Sequence, residues 1–165
     1  MSSITQTRPA SPAHRDASPA VRVDPRGPRF AASLTTLVLA AALLAAPSTL
    51  TVVLLAAQTV LFAVGAVAGI GRTPYGWLFR TFVRPRLAAP TELEDAAPPR
   101  FAQSVGLGFA VVALAGYLLG ADLLGAIATG AALAAAFLNA AFGFCLGCEV
   151  YLLLKRLTGR AAVPQ

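Results

Sequence analysis

An all-α membrane protein, with four transmembrane helices paired as two hairpins, is what three features of this sequence predict. Hydrophobic residues make up 57% of its 165 positions and charged ones only 12%, against roughly 25% charged in an ordinary soluble domain. Its mean hydropathy is +0.71, and the apolar residues come in runs of membrane-crossing length, not in short alternating or amphipathic patches. The cations gather between some of those runs and are missing from the turns that separate the others.

From the amino end, residues 1–21 are rich in Pro, Ser, Ala and Arg without apolar periodicity, the composition of a disordered arm. A membrane domain follows over residues 22–157, with a short tail at 158–165. Its first span is expected at residues 30–46, uncharged and broken by Pro47-Ser48. Leu44-Ala45-Ala46 resembles a signal-peptidase site. The run is long for an h-region of about 7–15 residues, and a polar arm of 29 residues precedes it, so a retained anchor is expected. The second span covers residues 49–70 and stops at Gly71-Arg72; the third covers 102–121 and stops at Asp122.

The fourth run, residues 123–154, carries a single charge, Glu149. A span needs about 20 residues to cross a core about 30 Å thick. As one helix this 32-residue run would be roughly 48 Å long, so it must tilt strongly, protrude or break.

Of the 13 cations, Arg8, Arg15, Arg22, Arg26 and Arg29 precede the first span, and Arg72, Arg80, Arg84, Arg86 and Arg100 lie between the second and third. Lys155, Arg156 and Arg160 follow the fourth, and the turns at Pro47-Ser48 and Asp122 hold none. The positive-inside rule then puts both termini and the central loop in the cytoplasm of an inner or plasma membrane. The basic charge brackets spans and forms no patch on a soluble face, which argues against nucleic acid as a partner and leaves the lipid bilayer.

The two halves echo each other. Pro28-Arg29-Phe30-Ala31-Ala32-Ser33 opens the first span and Pro99-Arg100-Phe101-Ala102-Gln103-Ser104 the third. A weaker echo links Gly71, Tyr75 and Arg80 with Gly147, Tyr151 and Arg156. Both fit a parallel internal repeat about an axis along the membrane normal; the plainer reading is that any cytoplasmic helix start favours Pro, Arg and an interfacial aromatic. Between the halves, Trp77, Phe79, Phe82 and Val83 alternate with Arg80, Arg84 and Arg86 over residues 75–87, predicting an interfacial amphipathic helix that Pro85 ends or kinks. Glu92, Glu94 and Asp95 read as a solvated linker. Gly65 and Gly69, Gly116 and Gly120, and Gly143 and Gly147 are each four apart, a spacing suited to a tight bundle or a homodimer. Apart from Asn139, Glu149 and the thiols, no polar residues are expected to matter inside the runs, and that absence disfavours a sizeable hydrophilic channel.

The chemistry concentrates at Cys145 and Cys148, the only cysteines, followed by Glu149. Cysteines three apart share a helix face. Three uses suit them: a dithiol/disulfide couple, half of a tetrahedral metal site, or small hydrophobes in a packed interior. The only histidine, His14, lies in the arm, so no metal or other cofactor is expected. If the fourth run breaks near residues 139–143, a new helix begins at about Cys145. Its amino end then makes Cys145 the more acidic, attacking thiol, with Cys148 resolving. Glu149 is then a proton acceptor, or a neutral hydrogen-bond donor. No nucleotide loop, triad or paired carboxylates support a hydrolase or kinase.

Three segments carry a family resemblance: Val23-Asp24-Pro25-Arg26-Gly27-Pro28-Arg29-Phe30, residues 92–103 and residues 138–149. Over residues 22–157 the chain resembles the bacterial integral membrane family labelled domain of unknown function 4395, and the cysteine block is the most specific part. The resemblance implies a multi-pass membrane protein with a Cys-x-x-Cys motif and an association with thiol or sulfur-transfer partners. Two classes of function remain open. One is a thiol/disulfide or sulfur relay to a thioredoxin-like or sulfurtransferase protein at the cytoplasmic face. The other is a small transporter or scaffold in which Asn139, Glu149 and the thiols line a path or pack helices.

Overall fold

Asp24 and Asp95 set where the first helix of each half begins. In the computed structural model, which describes residues 21–90 and 92–160, the Oδ1 of Asp24 accepts from the Arg26 amide and that of Asp95 from the Ala97 amide, both at 3.0 Å. These caps start α1 (Arg26–Leu44) and α4 (Ala97–Leu118) upstream of the uncharged runs, so each helix carries its arginine in its own first turns. Ser48 caps α2 (Thr49–Ala68), its side chain accepting from the Thr51 amide at 3.3 Å. Asp122 places a carboxylate in the first turn of α5 (Asp122–Phe142), where the helix dipole favours it. These four helices are long and apolar enough to cross a membrane. The disordered arm expected at residues 1–21 falls, except for Val21, outside the described residues, as do residues 161–165 of the tail.

The fourth run does not form one helix. Gly143 adopts φ +70°, and the Gly143 and Phe144 amides bond back to the Asn139 and Leu138 carbonyls at 3.0 and 3.3 Å. This Schellman-type ending needs a left-handed residue, for which glycine carries no Cβ penalty. The chain restarts as α6 (Leu146–Arg160), which runs three residues into the segment expected to be tail.

The halves interleave. α1 packs chiefly on α5 and α2 on α4, so each hairpin is clasped by the other. The shared core is narrow: Leu39, Ala42, Leu55, Ala113, Ala128 and Ala132. Alanine dominates it, and glycine stands at the closest helix contacts, because lipid supplies no drive to squeeze helices together and close backbone approach provides the dispersion contacts instead. Gly116 shows how close: a Cβ there would lie 2.7 Å from the Gly125 nitrogen of α5. Likewise Gly65 abuts the Gln103 side chain and Gly147 abuts Ala102, so one member of each predicted glycine pair packs within this chain. The other members, Gly69, Gly120 and Gly143, take positive φ at helix ends.

The expected absence of other polar groups within the spans is corrected by Gln58 and by the buried Thr35, Thr51 and Thr129. Gln58 is 1% exposed, its Nε2 donates to Thr35 Oγ1 at 3.4 Å, and its Oε1 accepts from the Tyr75 hydroxyl at 3.1 Å. Burial raises the Tyr75 phenol above its ordinary value.

The repeat is present in three dimensions, at a spacing of 71 residues. Asp24 and Asp95 cap, Arg29 and Arg100 reach across, and the Ser33 and Ser104 hydroxyls donate to the carbonyls of those same arginines. Arg29 donates to the Ala140 and Ala141 carbonyls at 3.4 and 3.1 Å, closing the carboxyl end of α5. Arg100 donates to the Ala66 and Val67 carbonyls at 2.7–3.3 Å, closing that of α2. Each arginine thus satisfies orphan carbonyls of the helix from the other half. A two-residue antiparallel pair, β1 (Arg22–Val23) with β2 (Glu94–Asp95), joins the halves. Its Val23–Glu94 partners are themselves 71 apart, so this pairing lies on the pseudo-twofold axis. The acidic linker is therefore a cap and a strand.

The weaker echo is corrected. α3 (Pro74–Leu78) continues through a π-helical turn, Phe79–Val83, and a 3₁₀ turn, Arg84–Arg86. Phe79 packs on Phe30 with ring centroids 5.9 Å apart, and Tyr151 on Phe101 at 5.7 Å. The structural counterpart of Tyr151 is therefore Phe79, and Tyr75 instead reaches Gln58. The expected single apolar face of this segment is divided: Phe79 is 4% exposed, whereas Trp77 and Phe82 are 53% and 49% exposed and meet edge to face at 5.8 Å.

Candidate thiol site

The break after α5 creates the site. Gly143 turns the chain, Phe144 and Cys145 cross a short gap, and α6 begins at Leu146. Cys145 and Cys148 are disulfide-bonded, with Cα atoms 5.2 Å apart. The Cys145 sulfur also accepts from the Cys148 amide at 3.3 Å, and the Cys145 carbonyl accepts from the Glu149 amide at 3.0 Å. Cys145 thus stands where a side-chain cap stands, facing free N–H groups of the new helix.

The first half builds the same helix start without sulfur. The Thr73 hydroxyl accepts from the Gly76 amide at 3.1 Å to begin α3, and Phe79 then packs three residues later. Thr73, Gly76 and Phe79 correspond to Cys145, Cys148 and Tyr151, each 72 residues on.

α6 is docked through small residues. A Cβ on Gly147, between the two cysteines, would meet Cα and Cβ of Ala102 at 2.7 Å. The helix therefore lies against the amino end of α4, at the end of the bundle that holds Arg29, Arg80 and Arg100.

Both cysteines are half-buried, whereas Glu149 is exposed on the first turn of α6. It lies beyond the carboxyl end of α5, and not inside a continuous span as the apolar run implied. Asn139 of α5 joins Cys145 in lining one cavity of about 380 Å³, together with Thr35 of α1, Phe62 of α2 and Gln103 of α4. Glu149 and Cys148 do not line it. A larger depression of about 700 Å³ at the arginine end is lined by Arg22, Arg72, Arg80, Arg84 and Arg100, and by neither cysteine. Among the described residues no group of three or more His, Cys, Asp or Glu side chains could hold a metal ion.

The sequence pointed to Cys145, Cys148, Glu149 and Asn139, but not to Thr35 or Gln103. Gln103 was visible only as the one polar replacement in the second copy of the repeated motif, against Ala32 in the first.

Fold and site define the class: an all-α protein with four membrane-length helices in two interleaved halves, and a Cys-x-x-Cys pair at the start of a short helix beside them. The chain belongs to the family described as domain of unknown function (DUF4395), whose sequence model matches residues 23–156. No curated protein and no solved structure matches it.

Proposed function

We propose that this is a membrane thiol–disulfide redox component whose Cys145–Cys148 couple exchanges electrons with a soluble thioredoxin-like or sulfurtransferase protein. The observation that carries this reading is the pair of equivalent helix starts. Thr73 and Gly76 make the turn in the first half, so the fold has no need of sulfur where Cys145 and Cys148 stand.

The chemistry follows from the cap. A partner thiolate attacks the Cys145 sulfur, the Cys145–Cys148 bond breaks, and Cys148 leaves as thiolate. A second partner thiol then attacks the mixed disulfide and releases Cys145, whose negative charge faces the helix amides and the positive end of the α6 dipole. Two electrons reach this protein and the partner becomes a disulfide. Glu149, exposed and next to Cys148, is placed to take up or release a proton at the water-facing side.

The arginine-rich end faces the cytoplasm of an inner or plasma membrane, as the cation distribution favours. Trp77 and Phe82 then sit at lipid headgroup depth beside Arg80, Arg84 and Arg86.

The test is mixed-disulfide trapping in membranes, with a thioredoxin-like protein lacking its resolving cysteine and each serine variant first converted to its mixed disulfide with thionitrobenzoate, which the partner thiolate displaces as the leaving thiolate. Cys148→Ser accumulates the adduct on Cys145, whereas Cys145→Ser traps markedly less. If both serine variants behave like the wild type, the cysteines are structural and the scaffold reading replaces this one.

A further inference from the structure

The cavity beside Cys145 lies between helices that meet closely at their other ends. Alanine and glycine close the contact at Gly116 and Gly125, yet here about 380 Å³ stays open, within the roughly 300–1,000 Å³ usual for ligand sites. Its position follows from the interleaving. α4 and α5 touch at Gly116 and Gly125, near their connecting turn. At their other ends Arg100 ties α4 to α2 and Arg29 ties α5 to α1. The two helices therefore diverge, and the cavity fills the fork.

The lining is largely apolar, with few polar groups. Gln103 and Asn139 are half-buried and line the space. Among the described residues their side-chain amides make no hydrogen bond to another protein group. Both amides therefore keep their donors available to a molecule in that space, and two such groups lining one cavity suit a ligand that carries acceptors. Of the lining residues, Val105 and Phe109 of α4 are 37% and 40% exposed, Ala131 of α5 is exposed, and Leu146 and Val150 of α6 are 40% and 45% exposed. The first three lie within membrane-length helices, so that side of the lining meets hydrocarbon and is open to a lipid-soluble molecule. Cys145 lines the same space.

We infer that this cavity binds the head group of a membrane quinone, which takes electrons from the reduced Cys145–Cys148 pair. The inference rests on the thiol-redox reading above and names its second substrate. A quinone meets each requirement: it dissolves in the bilayer, its two carbonyls accept from amide donors, and it takes two electrons. The step balances. Two S–H bonds break and one S–S bond forms, and two electrons and two protons pass to the quinone, whose carbonyl oxygens become hydroxyls. Overall, a cytoplasmic dithiol is oxidised and a quinol is released to the bilayer.

The test uses the full chain in lipid nanodiscs, reduced and freed of excess reductant, with decyl-benzoquinone as the probe. Quinol appearance and thiol loss are followed together. The expected result is one quinol per pair of thiols, with a rate that saturates in quinone. Gln103→Leu combined with Asn139→Leu raises the half-saturating concentration at least tenfold. A photoreactive quinone labels residues 103–109 and 131–139 of the wild-type protein, which tests the site without any substitution. The inference is overturned if the pair exchanges with dithiothreitol but reduces quinone no faster than a free dithiol does, if the rate stays linear in quinone, or if labelling falls elsewhere or is displaced by phospholipid acyl chains alone. A pair that exchanges with no dithiol at all instead removes the reading beneath it.

Discussion

Gly147, between the two cysteines, is the position at which α6 is packed against α4. A Cβ there would lie 2.7 Å from both Cα and Cβ of Ala102, whereas ordinary carbon–carbon contact is roughly 3.5–4.0 Å. Gly147→Val therefore forces α6 away from α4 by about 1 Å, at the cost of about 1–3 kcal/mol typical of overpacking. The Phe101–Tyr151 ring contact at 5.7 Å loosens with it, adding about 0.5–1.5 kcal/mol. A total of at least about 1.5 kcal/mol lowers the ratio of docked to undocked α6 at least about tenfold, since 1.4 kcal/mol is about tenfold. Hydrogen exchange in detergent or nanodiscs reads this directly. Amides of residues 148–157 in the variant should exchange at least tenfold faster, while those of α2 and α5 stay as in the wild type. Gly108→Ala, where a Cβ meets nothing within 4 Å, is the control and should change neither. Wild-type protection of α6 in Gly147→Val would refute the claim that α6 is held through this contact.

Arg100→Ala removes donors from the last carbonyls of α2 and should destabilise the bundle by about 1 kcal/mol, allowing for the exposure of the guanidinium; Arg29→Ala, with longer bonds, costs less. Detergent-unfolding midpoints measure the order, and equal or opposite effects contradict the repeat-based capping. Gln58→Leu strands the Tyr75 and Thr35 hydroxyls and should cost about 1–3 kcal/mol in the same assay. Because burial raises the folded-state value of Tyr75 above the ordinary 10.0, the neutral phenol is favoured by folding. Its stabilisation is complete below pH 10 and declines as pH rises through the folded value. The wild type should therefore lose more stability than Tyr75→Phe above pH 10, and parallel curves would show that Tyr75 is not buried.

The helices were readable because their runs exceed what a soluble core needs, and the break in the last run was one of the three outcomes, with tilt and protrusion, that its excess length left open. Gly143 supplied the left-handed residue at the place where 32 residues could not continue. The pairing of α1 with α5 and α2 with α4 was not readable. Alanine, leucine and valine surround these helices almost evenly, so no stripe marks a buried face. Arg29 and Arg100 were legible as topology markers, but their role as caps on the opposite half depends on that pairing. Tyr75 and Tyr151 invited a match by identity, yet position in the fold matches Tyr151 to Phe79. Glu149 looked intramembrane only while the run was taken as continuous. The cavity was invisible for the same reason as the pairing, because a gap between helices has no local signal.

The most direct test of the central claim, that Cys145 and Cys148 form a reversible couple, is a redox titration in native membranes, with quenching by a mass-shifting thiol reagent at each poise. A two-electron couple predicts joint loss of both thiols in a single transition, with the ratio of disulfide to dithiol changing tenfold per about 30 mV. Two cysteines that stay alkylatable at every potential would contradict it.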